Sequence, residues 1–110
     1  MTGGSTVDQS NAAQVLQESD RAIFNCPRAR LGYVYKSKAL ISLKRFDETI
    51  AVWRQALKRD PRNPVAYADM GLAYEGMKQI DQAIEMYQKA IDLAPHFDLA
   101  SDNLRRLRGL

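Results

Sequence analysis

The amino-acid sequence predicts an all-α fold, an α-solenoid of antiparallel helix pairs with about two complete pairs, an N-terminal half pair and a C-terminal capping helix. Three observations predict it. FDETIAVWRQALKRDPRN at 46–63 aligns without gaps with IDQAIEMYQKAIDLAPHF at 80–97, so the chain repeats itself at an offset of 34 residues. Within each copy the apolar residues recur at helical spacing, as at Tyr67, Met70, Gly71 and Tyr74, and again at Ala83, Tyr87, Ala90 and Ile91. Pro27, Pro61 and Pro95 stand at one phase of the repeat, where each prevents a helix from continuing. Nothing alternates with a period of two over a useful length, and no strand is predicted.

Taken in order, residues 1–11, MTGGSTVDQSN, read as a flexible polar leader, and 12–110 as the repeat domain. Residues 12–29 carry Val15, Leu16, Ala22, Ile23 and Pro27 in phase with the second helix of a pair; the first helix is missing. Residues 30–63 and 64–97 each hold a full pair. In the latter, Asn63 is placed to cap a helix whose first position is Pro64, where a missing N–H costs nothing. Asp47 and Asp81 are expected to cap the second helices. Residues 98–110 begin where another first helix would, with Leu99, Leu104 and Leu107, then turn basic at Arg105, Arg106 and Arg108. A capping helix follows, because a terminal repeat needs a polar outer face.

Composition narrows the function classes. At 110 residues with 45% hydrophobic content there is one modest core and no room for a second domain. A net charge of +3 is well short of the balance expected when phosphate contacts dominate, so nucleic acid is not indicated. The single cysteine, Cys26, excludes an intrachain disulfide and a multi-thiolate zinc site, and makes the cytoplasm the default compartment. No run of apolar residues is long enough for membrane insertion, and the first eleven residues lack the pattern of a secretory signal.

Tyr67, Met70-Gly71, Tyr74, Ala83, Tyr87, Ala90 and Pro95 stand, in order, where a tetratricopeptide repeat has its large aromatic, Leu-Gly, Tyr, Ala, aromatic, Ala and Pro. Residues 64–97 therefore resemble that repeat closely. Residues 30–63 match at Tyr33, Leu40, Trp53, Ala56 and Pro61, while Lys36, Ser37 and Thr49 replace the usual Leu, Gly and Ala, which is expected to weaken packing near Lys36 and Thr49. The resemblance implies a right-handed solenoid in which Gly71, Ala83 and Ala90 let helix axes approach closely.

Candidate chemistry is sparse. His96 is the only histidine, with Asp92 and Asp98 its nearest carboxylates, too few ligands for a metal site. Cys26 has no histidine near it in sequence to form a nucleophile pair, and the glycines form no phosphate-cradling pattern. Tyr33, Trp53, Tyr67, Tyr74 and Tyr87 fall at core positions of the repeat; Tyr35 alone is out of phase with the core. No enzyme, cofactor or metal is expected.

What the resemblance implies instead is a protein or peptide partner seated on the concave side, along the first helices of successive pairs. Carried over by phase, that lining is Leu31, Val34, Tyr35, Lys38, Ile41 and Ser42, then Val65, Ala68, Asp69, Leu72, Glu75 and Gly76, closed by Leu99, Asp102, Asn103 and Arg106. One subclass of the family grips a chaperone's C-terminal carboxylate with Lys, Asn, Asn, Lys and Arg; the matching positions here are Val34, Lys38, Asp69, Leu99 and Asn103, which disfavours that mode. The alternative expectation is a self-assembling module, a homodimer covering the flank that the missing first helix leaves open. RNA binding, prompted by Arg28, Arg30, Lys36, Lys38, Lys44 and Arg45, lacks an exposed aromatic ladder.

Overall fold

The structure, a computed structural model, describes residues 7–109. Six helices form: α1 (Ala12–Asn25), α2 (Arg30–Ser42), α3 (Phe46–Leu57), α4 (Pro64–Gly76), α5 (Ile80–Leu93) and α6 (Asp98–Leu107), and no strand occurs among the described residues. The part of the leader at residues 1–6 lies outside the described residues. From Val7 onward the chain approaches α2, where the Ser42 hydroxyl donates to the Val7 carbonyl at 3.4 Å.

Two kinds of turn alternate. Those from α2 to α3 and from α4 to α5 are Schellman motifs: the N–H groups of Lys44 and Arg45 donate to the carbonyls of Ile41 and Leu40, and those of Lys78 and Gln79 to Glu75 and Tyr74. Each motif needs one left-handed residue, and here both are lysines, Lys44 at φ 59° and Lys78 at φ 65°. The turns that contain Pro27 and Pro61 are clamped by a tyrosine from the following helix. Tyr33 donates to the Pro27 carbonyl at 2.7 Å and Tyr67 to that of Pro61 at 3.5 Å.

Asn63 caps α4 as the sequence predicts, its Oδ1 accepting from the Val65 N–H at 3.1 Å. Asp47 and Asp81 do not cap. Helices α3 and α5 begin two residues earlier than caps at those positions would have it, at Phe46 and Ile80, because the left-handed lysine turns the chain straight into the helix. Both carboxylates lie in the first turn, beside free N–H groups at the positive end of the dipole.

Each helix packs on its neighbours in sequence, and α2 also touches α4, so the elements stack as a solenoid. One core cluster joins Tyr33, Ile50, Trp53, Ala56, Ala66, Met70, Ala73 and Met86; a second joins Ala68, Ala83, Tyr87, Ala90, Ala100 and Leu104. Small residues set the spacing. A Cβ on Gly71 would stand 2.7 Å from the Tyr87 ring, which leaves no room for a larger side chain without a shift of the helix pair. The two departures in the 30–63 pair each have a polar partner. Lys36 pairs with Asp20 of α1 at 2.6 Å, and Thr49 is fully buried with its hydroxyl donating to the Arg45 carbonyl.

Candidate partner-binding groove

Helices α2, α4 and α6 are the first members of their pairs and lie on one side of the stack. Leu31 (61% exposed), Tyr35 (36%) and Leu99 (44%) are among the large hydrophobic residues that stay exposed, and they mark the two ends of this surface. Lys38, Gly76, Asp102 and Arg106 are exposed as well, while Val34, Ile41, Ser42, Val65, Leu72, Glu75 and Asn103 are half-buried.

Two expected lining residues prove inaccessible. Ala68 is 0% exposed and Asp69 8%. The cause is their place on α4, the central first helix, which α2 covers on one side and the α5–α6 layer on the other. Ala68 belongs to the cluster of Ala83, Tyr87, Ala90, Ala100 and Leu104. Leu72 also packs against that cluster through part of its side chain.

Asp69 points between helices, where its carboxylate accepts from the Ser37 hydroxyl at 2.8 Å. Burial raises its pKa above the ordinary carboxylate value, against the opposing effects of the Ser37 hydrogen bond, the Lys38 charge and the Trp53 indole. The Trp53 N–H itself is buried short of a well-formed hydrogen bond. Farther along the groove, Glu75 is a hub: one oxygen accepts from Tyr87 at 3.0 Å and the other meets Arg106 of α6 at 2.7 Å. Burial and then the Glu75 charge push the Tyr87 phenol above its ordinary pKa, so it stays a donor. The Glu75–Arg106 pair ties α6 to α4.

Sequence reasoning missed these two polar contacts. Ser37 and Asp69 are 32 residues apart and Glu75 and Arg106 are 31 apart, so neither pair falls on the 34-residue phase by which the lining was transferred. Among the described residues no His, Cys, Asp and Glu side chains gather as a metal site would, and no helix is long and apolar enough to cross a membrane. Cys26 and His96 both lie exposed in turns.

Family comparisons agree with this geometry. One profile, described as tetratricopeptide repeat, matches residues 64–97, and a second, described as TPR repeat, matches residues 37–78. The chain is a tetratricopeptide-repeat (TPR) protein. Among solved structures, the first TPR domain of the human RPAP3 protein superposes with a TM-score of 0.84 at 18% identity, over 92% of this chain and 80% of that one. The first TPR of Spaghetti (RPAP3), bound to the HSP90 peptide SRMEEVD, gives 0.69 at 18% identity over 96% and 97%. MamA 41-end from Desulfovibrio magneticus RS-1 gives 0.76 at 24% identity; this chain is covered to 91% and spans 56% of that one. At such identities the likeness is one of fold. No curated protein matches the TPR chain in sequence.

Proposed function

We propose that this TPR chain is a protein-interaction module that holds a peptide or protein segment along the concave side of α2, α4 and α6. The observation that carries the reading is the lining itself. Exposed Leu31, Tyr35 and Leu99 with Lys38, Asn103 and Arg106 around them supply apolar anchors inside a polar rim, the makeup of a recognition surface. A TPR neighbour bound to a peptide supports the same mode of use.

The chemistry points away from a free C-terminal carboxylate as the feature recognised. Where the carboxylate-binding subclass places its central asparagine stands Asp69, turned inward onto Ser37, and Val34 and Leu99 stand where lysines are wanted. A segment bound through apolar side chains suits this lining better.

Because Leu72 packs into the core, the test uses Lys38 and Leu99, which are exposed and lie on different helices. Peptides selected from a displayed random library against the 110-residue chain are expected to lose at least about tenfold in affinity, roughly 1.4 kcal/mol, to the Lys38→Glu/Leu99→Glu variant. Undiminished binding to a variant of native helix content would overturn the reading.

A further inference from the structure

The turns that contain Pro27 and Pro61 lie side by side on one edge of the stack, and a cavity of about 850 Å³ opens between them. Arg28 and Arg30 line it from the first turn and the start of α2; Arg59, Asp60 and Asn63 line it from the second turn, with Tyr33 in the wall. None of these residues belongs to the groove lining. The Pro27 carbonyl accepts from the Tyr33 hydroxyl and, at 3.2 Å, from the Arg59 guanidinium, which holds Arg59 across the two turns. Arg30 meets Asp60, the one carboxylate of the lining, at 2.6 Å. Arg28 has no ion-pair partner among the described residues.

Asn63 is the telling member. It is 2% exposed, and its amide is oriented by the cap on α4: Oδ1 accepts from the Val65 N–H, so the NH2 group is what remains for the cavity. That donor has no partner among the described residues, and an unpaired amide at a buried residue is stabilised by an incoming acceptor. The fold does not require this set. Thirty-four residues on, Tyr33 corresponds to Tyr67, which clamps its own proline turn, but Arg30, Arg59 and Asn63 correspond to Pro64, Leu93 and Phe97. The same edge one layer later is accordingly lined mainly by apolar side chains, among them Val65, Ala94 and Phe97.

We infer that this cavity is a binding site for a phosphomonoester. Three guanidiniums against one carboxylate leave two positive charges, and a phosphomonoester carries about two negative ones at neutral pH. Guanidinium forks pair with phosphate oxygens two at a time, and the Asn63 NH2 adds a neutral donor. Arg30 also begins α2, at the positive end of that helix's dipole and with no acidic residue in its first turn, so an anion here relieves a local excess of positive charge. The volume exceeds what a phosphate alone fills, which leaves room beside Tyr33 and Ala56 for the carbon skeleton that bears it. A phosphodiester offers one charge per group where the cavity matches two, which favours the monoester over a nucleic-acid strand. A phosphorylated side chain and a small phosphorylated metabolite present the same group, and the test separates them.

The isotope-labelled 110-residue chain is titrated with O-phosphoserine and with a short phosphoserine peptide, each against its unphosphorylated form. Saturable shifts are expected at the Arg28, Arg30 and Arg59 amides and at the Asn63 side-chain NH2, while Leu99 and Asn103 of the groove stay unchanged. Peptide affinity at least about tenfold above that of O-phosphoserine identifies a polypeptide as the source; equal affinities identify a small phosphate. Arg28→Glu should weaken both at least about tenfold. Asn63→Asp keeps an oxygen to cap α4 but replaces the donor with a carboxylate, and should weaken them equally at unchanged helix content. Three results would each overturn the inference: no saturable shift with either probe, affinities that both variants leave untouched, or a single-stranded oligonucleotide of equal charge that binds more tightly than the phosphopeptide. Should Asn63→Asp lose helicity, Arg28→Glu decides alone.

Discussion

At Asp69 a carboxylate sits where little water reaches it, held by one hydroxyl donor from Ser37. Burial is the largest influence and raises the pKa, so the folded protein binds this proton more tightly than the unfolded chain does. The linkage sign follows: Asp69 is no burden below the ordinary aspartate range, and stability falls as pH rises from there through the raised folded-state value. Asp69→Asn removes the charge while keeping an acceptor for Ser37. Urea unfolding should find this variant more stable than the wild type at neutral pH, with the gap closing in acid below the ordinary aspartate pKa; a gap that does not change with pH would count against the burial account. Position alone did not reveal this residue. Tyr35 and Asn103, its counterparts one layer away on either side, keep access to solvent, and only the cover that α4 receives from both sides separates Asp69 from them.

The helix ends carry the clearest element-scale lesson. Asn63 and Pro64 announce the start of α4, and Pro27 and Pro61 the turns beyond α1 and α3, because those residue types act through the local backbone. The turns after α2 and α4 have no such marker, since lysine occupies the left-handed position that glycine usually fills, and Asp47 and Asp81, read as caps, put the starts of α3 and α5 two residues late. That lysine costs stability. Left-handed geometry penalises an L residue by about 1–2 kcal/mol, and the greater freedom of unfolded glycine gives back roughly half, so Lys78→Gly should raise stability by about 0.5–1 kcal/mol. Thermal or urea unfolding measures it, and a loss of stability would mean that the Lys78 side chain contributes contacts the backbone account omits.

Across the whole molecule, the 34-residue rhythm is enough to place six helices and the aromatic core positions Tyr33, Trp53 and Tyr87, because repeated side chains meet repeated neighbours. Legibility ended where neighbours are not repeated. The lining was transferred as if every first helix were equally exposed, yet α4 has cover on both sides and α2 does not, which is why Ala68 and Asp69 are buried while Leu31 and Tyr35 stay open. For the same reason the two ends differ, with an apolar cleft beside α1 and a basic face on α6. Use of the concave side is the claim on which the functional account turns. Amide chemical-shift mapping of the isotope-labelled chain, titrated with a library-selected peptide, addresses it residue by residue. The largest changes should fall on Tyr35, Lys38, Leu99 and Asn103, whereas changes confined to the outer faces of α3 and α5, at residues such as Gln55 and Glu85, would contradict it.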